Sequence, residues 1–408
     1  MSVWPKAPIG DLAHWRGGLT PSMGNPNFWT NGDIPWISSK EVVGGVLKDT
    51  ERKVTRQAIE ETSLRLVPAG SVAVVVRSGI LLHTFPVALV PFQATVNQDV
   101  KIGTPIDGVL PEYLAFCLQA NGEQILQRFR KTGTTVQSVD VPGLLGFEVP
   151  LPPAPEQRRI VDLIGSVQAE AAAIDVEAET VEEVLRCLLD QAWASMDDVV
   201  PVGFVADLAS GPSWAAADER LAAEQGTTGV IKITNTRPDG RLDLSERLYV
   251  KGLPSSTRLL DDRSLIAIRT NGNRERIGNV YLPNDEVFGS AVSAFQFIVQ
   301  CQSSDHRDYL FWAMRAPQCQ RLMSDAASGS TGLGNMGARW LRALEIPWPD
   351  AEARTRFVEQ ATVTACLHEG LLDQGASLRA VGSTLLTSLL SGQMTIPESY
   401  DALLAEAV

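Results

Sequence analysis

The chain is poor in the residues that build metal and thiol chemistry. Its 408 residues include only five cysteines and four histidines. Cys117, Cys187, Cys301, Cys319 and Cys366 are scattered, odd in number and never spaced Cys-x-x-Cys. That excludes a disulfide framework and suits free thiols in a reducing cytoplasm. His14, His83, His306 and His368 are isolated from one another, so no zinc centre is expected. No stretch approaches the ~20 uninterrupted apolar residues of a membrane span. Residues 1–10 lack the basic segment and apolar run of a secretory signal. Neither a Walker loop nor a Pro-Asp…Glu-x-Lys nuclease signature is visible. A cytoplasmic protein with no membrane partner is expected.

An excess of positive charge is missing too. The net charge is −13, and a nucleic acid repels an acidic surface. The acidity is local, however. Residues 154–198 and 350–408 carry all of it, whereas acids and bases balance within 1–153 and within 199–349.

What the chain does have is an internal repeat. Leu64-Arg65-Leu66 to Val76-Arg77-Ser78-Gly79 matches Thr257-Arg258-Leu259 to Arg269-Thr270-Asn271-Gly272. Pro111-Glu112-Tyr113-Leu114-Ala115-Phe116 matches Arg307-Asp308-Tyr309-Leu310-Phe311-Trp312, and Val149-Pro150-Leu151-Pro152 matches Ile346-Pro347-Trp348-Pro349. A unit of about two hundred residues occurs twice, too long for a solenoid and suited to duplication of a domain with its linker. Within each unit, β-branched runs such as residues 71–76 and 264–268 predict buried strands. Helical patches at 113–130 and 309–323 follow.

Each unit ends in a predicted long helix. Ile160, Ile164, Val167, Ala171, Ile174, Ala178, Val181, Leu185, Leu188 and Ala192 recur in steps of four and three, the seam of a coiled coil. In the second copy Val363, Leu367, Leu371, Gln374, Leu378, Val381, Leu385 and Leu389 continue the pattern, with Gln374 as a polar interruption that fixes register. Glycines 370, 375 and 382 weaken this helix's own propensity. An ordinary amphipathic surface helix is the alternative reading of both segments.

The opening of the first unit resembles the specificity subunits of type I restriction-modification systems. The resemblance rests on Gly18-Leu19-Thr20-Pro21-Ser22, Asn27-Phe28-Trp29, Gly32-Asp33-Ile34-Pro35-Trp36-Ile37-Ser38, Ala94-Thr95-Val96-Asn97-Gln98-Asp99 and Gly133-Thr134-Thr135-Val136-Gln137. The junction Val149-Pro150-Leu151-Pro152-Pro153-Ala154-Pro155-Glu156-Gln157-Arg158-Arg159-Ile160-Val161 carries it furthest. The second unit departs from the pattern, with Val230-Ile231-Lys232-Ile233-Thr234 in place of the Trp-Ile-Ser block.

The resemblance implies an α+β fold with two pseudo-symmetric target-recognition domains, residues 1–153 and 199–349. Two spacer helices, in 154–198 and in 350–408 with the C-terminal tail, would pack as an antiparallel coiled coil. It further implies a subunit without catalytic residues that reads a split site on double-stranded DNA. Two methyltransferase subunits would dock on the spacer, and restriction subunits would join through them. No cofactor is expected in this chain, S-adenosylmethionine belonging to the methyltransferases.

For DNA contact the candidates are basic and amide side chains near glycine-rich turns, which can neutralise phosphates or pair with base edges. They are Lys40, Arg77, Arg130, Lys131, Thr134 and Gln137 in the first unit. In the second they are Lys232, Asn235, Arg269, Asn271, Arg274, Arg276 and Asn335. The same residue types also serve as plain solvated surface.

Two enzyme-like motifs are set aside. Gly332-Leu333-Gly334-Asn335-Met336-Gly337 follows Ser328-Gly329-Ser330-Thr331 rather than a strand, so it lacks the context of a dinucleotide loop. Asn25-Pro26-Asn27-Phe28 misses the adenine-methyltransferase motif at its third position and reads as a turn. A self-contained methyltransferase or nuclease, and a coiled-coil scaffold without DNA specificity, remain the alternative functions.

Overall fold

The computed structural model describes residues 4–131, 136–194, 198–327 and 333–402. The chain divides into two compact units: Met1–Ile174 with Gln374–Val408, and Asp175–Asp373. The division falls part-way along each long helix, so every unit holds one head, part of its own helix and part of the other.

In the first unit four antiparallel strands lie in the order Ala13–Gly17, Val100–Pro105, Ser71–Val75 and Val87–Val90. The apolar run Ser71–Val75 is buried along its whole length, as an unbroken β-branched segment is when both faces are covered. A second sheet orders Arg52–Val54, Ile34–Ile37 and Thr95–Val96, with Trp36 opposite Thr95 in a parallel pair. Lys6–Pro8 pairs with Glu148–Pro150, closing the head just before its long helix.

The second unit repeats this plan. Its first sheet runs Ala206–Ser210, Gln296–Cys301, Ser264–Ile268 and Val280–Tyr281. Its second sheet ends in the parallel pair Thr227–Ile231 with Ala291–Val292, Val230 standing opposite Ala291. The 230–234 block therefore stands where Trp36-Ile37-Ser38 stands in the first head. Val199–Pro201 pairs with Glu345–Pro347 before the second long helix.

Individual bonds repeat as well. Tyr113 donates its hydroxyl to the Pro150 carbonyl at 2.8 Å, and Tyr309 to that of Pro347 at 2.9 Å. Gly18 and Gly211 lie so close to the carbonyls of Val96 and Val292 that a Cβ on either would overlap backbone, which explains a glycine at both positions.

Each predicted helical patch is in fact two helices. Pro111–Ala120 and Gly122–Phe129 meet at Asn121, whose side-chain amide donates to the Cys117 carbonyl at 2.8 Å. Ser304–Arg315 and Pro317–Asp325 are separated by a proline that opens the second helix; its ring cannot continue the first one's hydrogen bonding.

The long helices span Ala154–Ala194 and Ala351–Ser391, 41 residues each, or about 60 Å at the standard rise. The first seam holds from Ile160 to Ala178, although Val167 is only half-buried. Further on, Leu189 and Trp193 are the buried positions, one residue beyond the expected Leu188 and Ala192. A straight helix drifts from a strict heptad, and Trp193 settles the rotation by donating its indole N–H to the Ala313 carbonyl of the second head at 2.8 Å.

The second seam is displaced more severely. Val363, Leu367 and Val381 are exposed, and so is Gln374. The buried positions include Ala361, Gly375, Gly382, Leu386 and Leu389. Gly382 is a contact point: a Cβ there would stand 3.2 Å from Val167 Cγ1, whereas one on Gly370 would meet nothing within 4 Å. Within the first unit Ile160 and Ile164 share a core with Leu386, Leu389 and Leu390; within the second, Leu189 and Trp193 share one with Ala361.

Candidate nucleic-acid interface

The loop leaving the central strand is tied down by matching bonds in both heads. The amides of Val76 and Arg77 donate to the Asp99 carbonyl at 2.9 and 3.3 Å, and those of Arg269 and Thr270 to Phe295 at 2.9 and 3.1 Å. Asn97 N donates to Ile37 O at 2.9 Å, and Ser293 N to Ile231 O at 3.0 Å. Arg77 bridges Ser138, while Thr270 pairs with Asn335. Arg77 and Thr270 thus hold one structural position, whereas Arg269 corresponds to the buried Val76.

In the first head Lys40 and Arg77 are exposed, and their side chains have no partner among the described residues. Lys131 is exposed but paired, its Nζ lying 2.5 Å from Asp140 Oδ1. That hydrogen bond holds the Asp140 carboxyl below its ordinary range. Arg130 folds back to donate to the carbonyls of Leu81 and Leu82 at 3.4 and 3.3 Å. Gln137 is half-buried, and its Oε1 has no partner among the described residues. Thr134 lies outside the described residues.

In the second head Arg269 crosses the Phe297 ring at 5.3 Å and donates to Asn335 Oδ1 at 3.1 Å and Ser210 Oγ at 3.2 Å. Asn335 also accepts from Thr270 Oγ1 at 2.8 Å. Asn271 accepts from Asn273 N at 2.9 Å, shaping the turn before the exposed Arg274. Lys232 is half-buried beside a cleft of about 370 Å³ that also holds Trp214 and Phe295.

Two expectations need correction here. Asn235 is 4% exposed; it accepts from Lys232 N and donates to the carbonyls of Asp243 and Glu246. It braces a loop and has no amide edge left for a base. Arg276 is half-buried and donates to the Thr236 carbonyl, which makes it a tie within the head. Neither role is written in the spacing, since both depend on a loop that returns from elsewhere in the chain.

Trp214 and Phe295 were not singled out by sequence. Pairing the Asn97-Gln98-Asp99 block with Ser293-Ala294-Phe295 would have shown an aromatic where the first head has an acid. The Asn25–Phe28 turn is as read: Pro26–Phe28 is a short 3-10 helix, the Asn25 side chain accepts from Asn27 N at 3.1 Å, and Phe28 is buried. Among the described residues no cluster of His, Cys, Asp or Glu could hold a metal. No helix among them is long and apolar enough to cross a membrane.

These features define a duplicated α+β protein whose two heads present polar, partly cationic loops beside a closed strand core. Residues 1–183 match the type I restriction modification DNA specificity domain. The chain is 40% identical over 156 residues to the specificity subunit of the Escherichia coli type I restriction enzyme EcoR124I/EcoR124II, covering 38% of this chain and 39% of that protein. It is 30% identical over 164 residues to the MjaIX specificity subunit of Methanocaldococcus jannaschii, covering 40% and 37%. The matches thus span about two fifths of these relatives' length.

Similar solved structures extend over nearly the whole fold. The type I S subunit from M. genitalium covers 95% of this chain and 96% of its own at 12% identity, with a TM-score of 0.57. A chain from a type I restriction-modification system described in terms of complex assembly and conformational transition covers 96% and 98% at 14% identity, with a TM-score of 0.61. The two-headed α+β layout with long helices is therefore a known fold.

Proposed function

We propose that this chain is the non-catalytic, DNA-reading subunit of a type I restriction-modification complex. Each head reads one half of a split site on double-stranded DNA, and the long helices serve as the spacer that fixes the gap. Fixed half-site spacing requires fixed protein geometry. The methyltransferase subunits dock on those helices, bring S-adenosylmethionine, and carry the restriction subunits with them.

The observation that carries this reading is the duplicated head, one copy of which lies within the matched specificity domain. The charge distribution supports it: the acid is confined to the helical segments and tail, so a duplex meets heads that are neutral overall. Lys40, Arg77, Arg269 and Arg274 are the preferred contacts.

The test is a genome-wide map of methylated adenines in cells carrying the partner methyltransferase, with and without this chain. A split motif of fixed gap that appears only with the chain is the expected result. Unchanged methylation under an active methyltransferase would overturn the reading in favour of a protein scaffold. Methylation by the purified chain with S-adenosylmethionine alone would overturn it in favour of an enzyme.

A further inference from the structure

Building on the DNA-reading function above, we propose that the second head holds a subsite for the 5-methyl group of a thymine, formed by Trp214 and Phe295, which the first head lacks. The argument starts from one turn that both heads share. Its backbone bonds place Asn97, Gln98 and Asp99 where the second head has Ser293, Ala294 and Phe295.

In the first head the surroundings of this turn are polar. Thr20 Oγ1 donates to Gln98 Oε1 at 2.7 Å, and Gln98 Nε2 lies 3.4 Å from Asp99 Oδ2. In the second head the same place is a cleft of about 370 Å³ walled by Pro212, Trp214, Ile233 and Phe295, with Lys232 at its side.

Phe295 is 49% exposed, and the part of a ring left in water adds nothing to folding through burial. Its backbone is nevertheless firmly held. The carbonyl accepts two amides, and the wholly buried Gln296 beside it accepts from Ser293 N at 3.1 Å and Ser293 Oγ at 2.6 Å. Trp214 is fixed in turn by its indole N–H, which donates to Glu219 Oε1 at 2.8 Å. The Phe295 backbone and the Trp214 ring are held before any ligand arrives, which lowers the ordering lost on binding.

The choice of occupant follows from the chemistry of the walls. Lys232, and Arg269 on the adjoining strand end, favour a polyanion. The aromatic walls offer few partners to a base's amino or carbonyl group. The apolar group on a major-groove base edge is the thymine methyl. A cytosine there would bring an amino group to the faces of two rings and lose its hydrogen bond to water.

The test uses the full chain and a duplex carrying the mapped split site. Deoxyuridine replaces each thymine in turn, removing the methyl alone. Substitution within one half-site is expected to weaken binding about three- to fivefold. Phe295→Ala should abolish that preference there and leave the other half-site untouched. Trp214→Ala is the second variant, and thermal melts verify that both fold. Overturning results are a half-site without thymine, equal binding of the two bases by the unaltered chain, or a preference that survives both variants. If the unaltered chain ignores sequence altogether, the DNA-reading function fails and takes the subsite with it. If it keeps sequence preference but ignores the methyl, the subsite alone fails.

Discussion

The two heads share strand order, a parallel edge pair and a buried tyrosine that hydrogen-bonds the proline ending the strand before the long helix. They differ in how that helix is anchored. In the first unit Gln157 is 1% exposed and joins three backbone groups: it accepts from Leu110 N and donates to the carbonyls of Gly108 and Pro152. In the second, Arg354 stands over the Trp348 ring at 4.6 Å and donates to the Pro349 carbonyl. Only the first unit adds Arg159, which is buried and reaches Glu156 and, through two bonds, Asp401 of the C-terminal tail. Duplication has kept the bonds that close the core and changed those around it. One anchor is a buried network, the other a half-exposed stack.

The largest test of that contrast sits at the anchors. Gln157→Ala leaves three backbone groups without their partner and should cost about 2–4 kcal/mol. Arg354→Ala removes mainly a half-exposed cation–π contact and should cost about 1 kcal/mol or less. Denaturant unfolding of both variants checks the ratio, and equal losses would break the distinction.

Next in size is a contrast within one helix. Gly382→Leu forces a side chain against Val167 and should destabilise by about 1–3 kcal/mol. Gly370→Ala, with nothing within 4 Å of the added methyl, should instead stabilise by up to about 1 kcal/mol through helix propensity. A stabilising Gly382→Leu would show that Gly382 is not a close contact.

The smallest effect concerns the tail. Hydrogen bonding to Arg159 holds the Asp401 carboxyl below its ordinary value of 3.8. Its contribution is therefore intact above that value and is lost as pH falls through the lowered one. Asp401→Asn should lower the first unit's melting temperature slightly at neutral pH and flatten its decline in acid. Melting curves followed from neutral to acidic pH measure both.

Much of the fold was legible in the sequence because its signals are local. The apolar runs at 71–75 and 264–268 are central strands, and the prolines before Ala154 and Ala351 mark helix starts. The repeat itself needed only self-comparison. The candidate interface was less legible. The self-match sets Arg77 opposite Thr270, as the bonds to Asp99 and Phe295 do, but it does not show which of these side chains are already committed within the head. Asn235 and Arg276 look available until the loop around Thr236 and Asp243 closes on them.

The sequence by itself determined that there are two heads, two long helices and an acidity confined to the helical segments and tail. These follow from composition and periodicity, which do not depend on what packs against what. Tertiary structure alone decided which face of the second helix is buried. That helix carries apolar residues on more than one face, and periodicity cannot choose between Val363 with Val381 and Gly375 with Gly382. The choice depends on the surface opposite, where Val167 Cγ1 lies 3.2 Å from the place a Cβ on Gly382 would take.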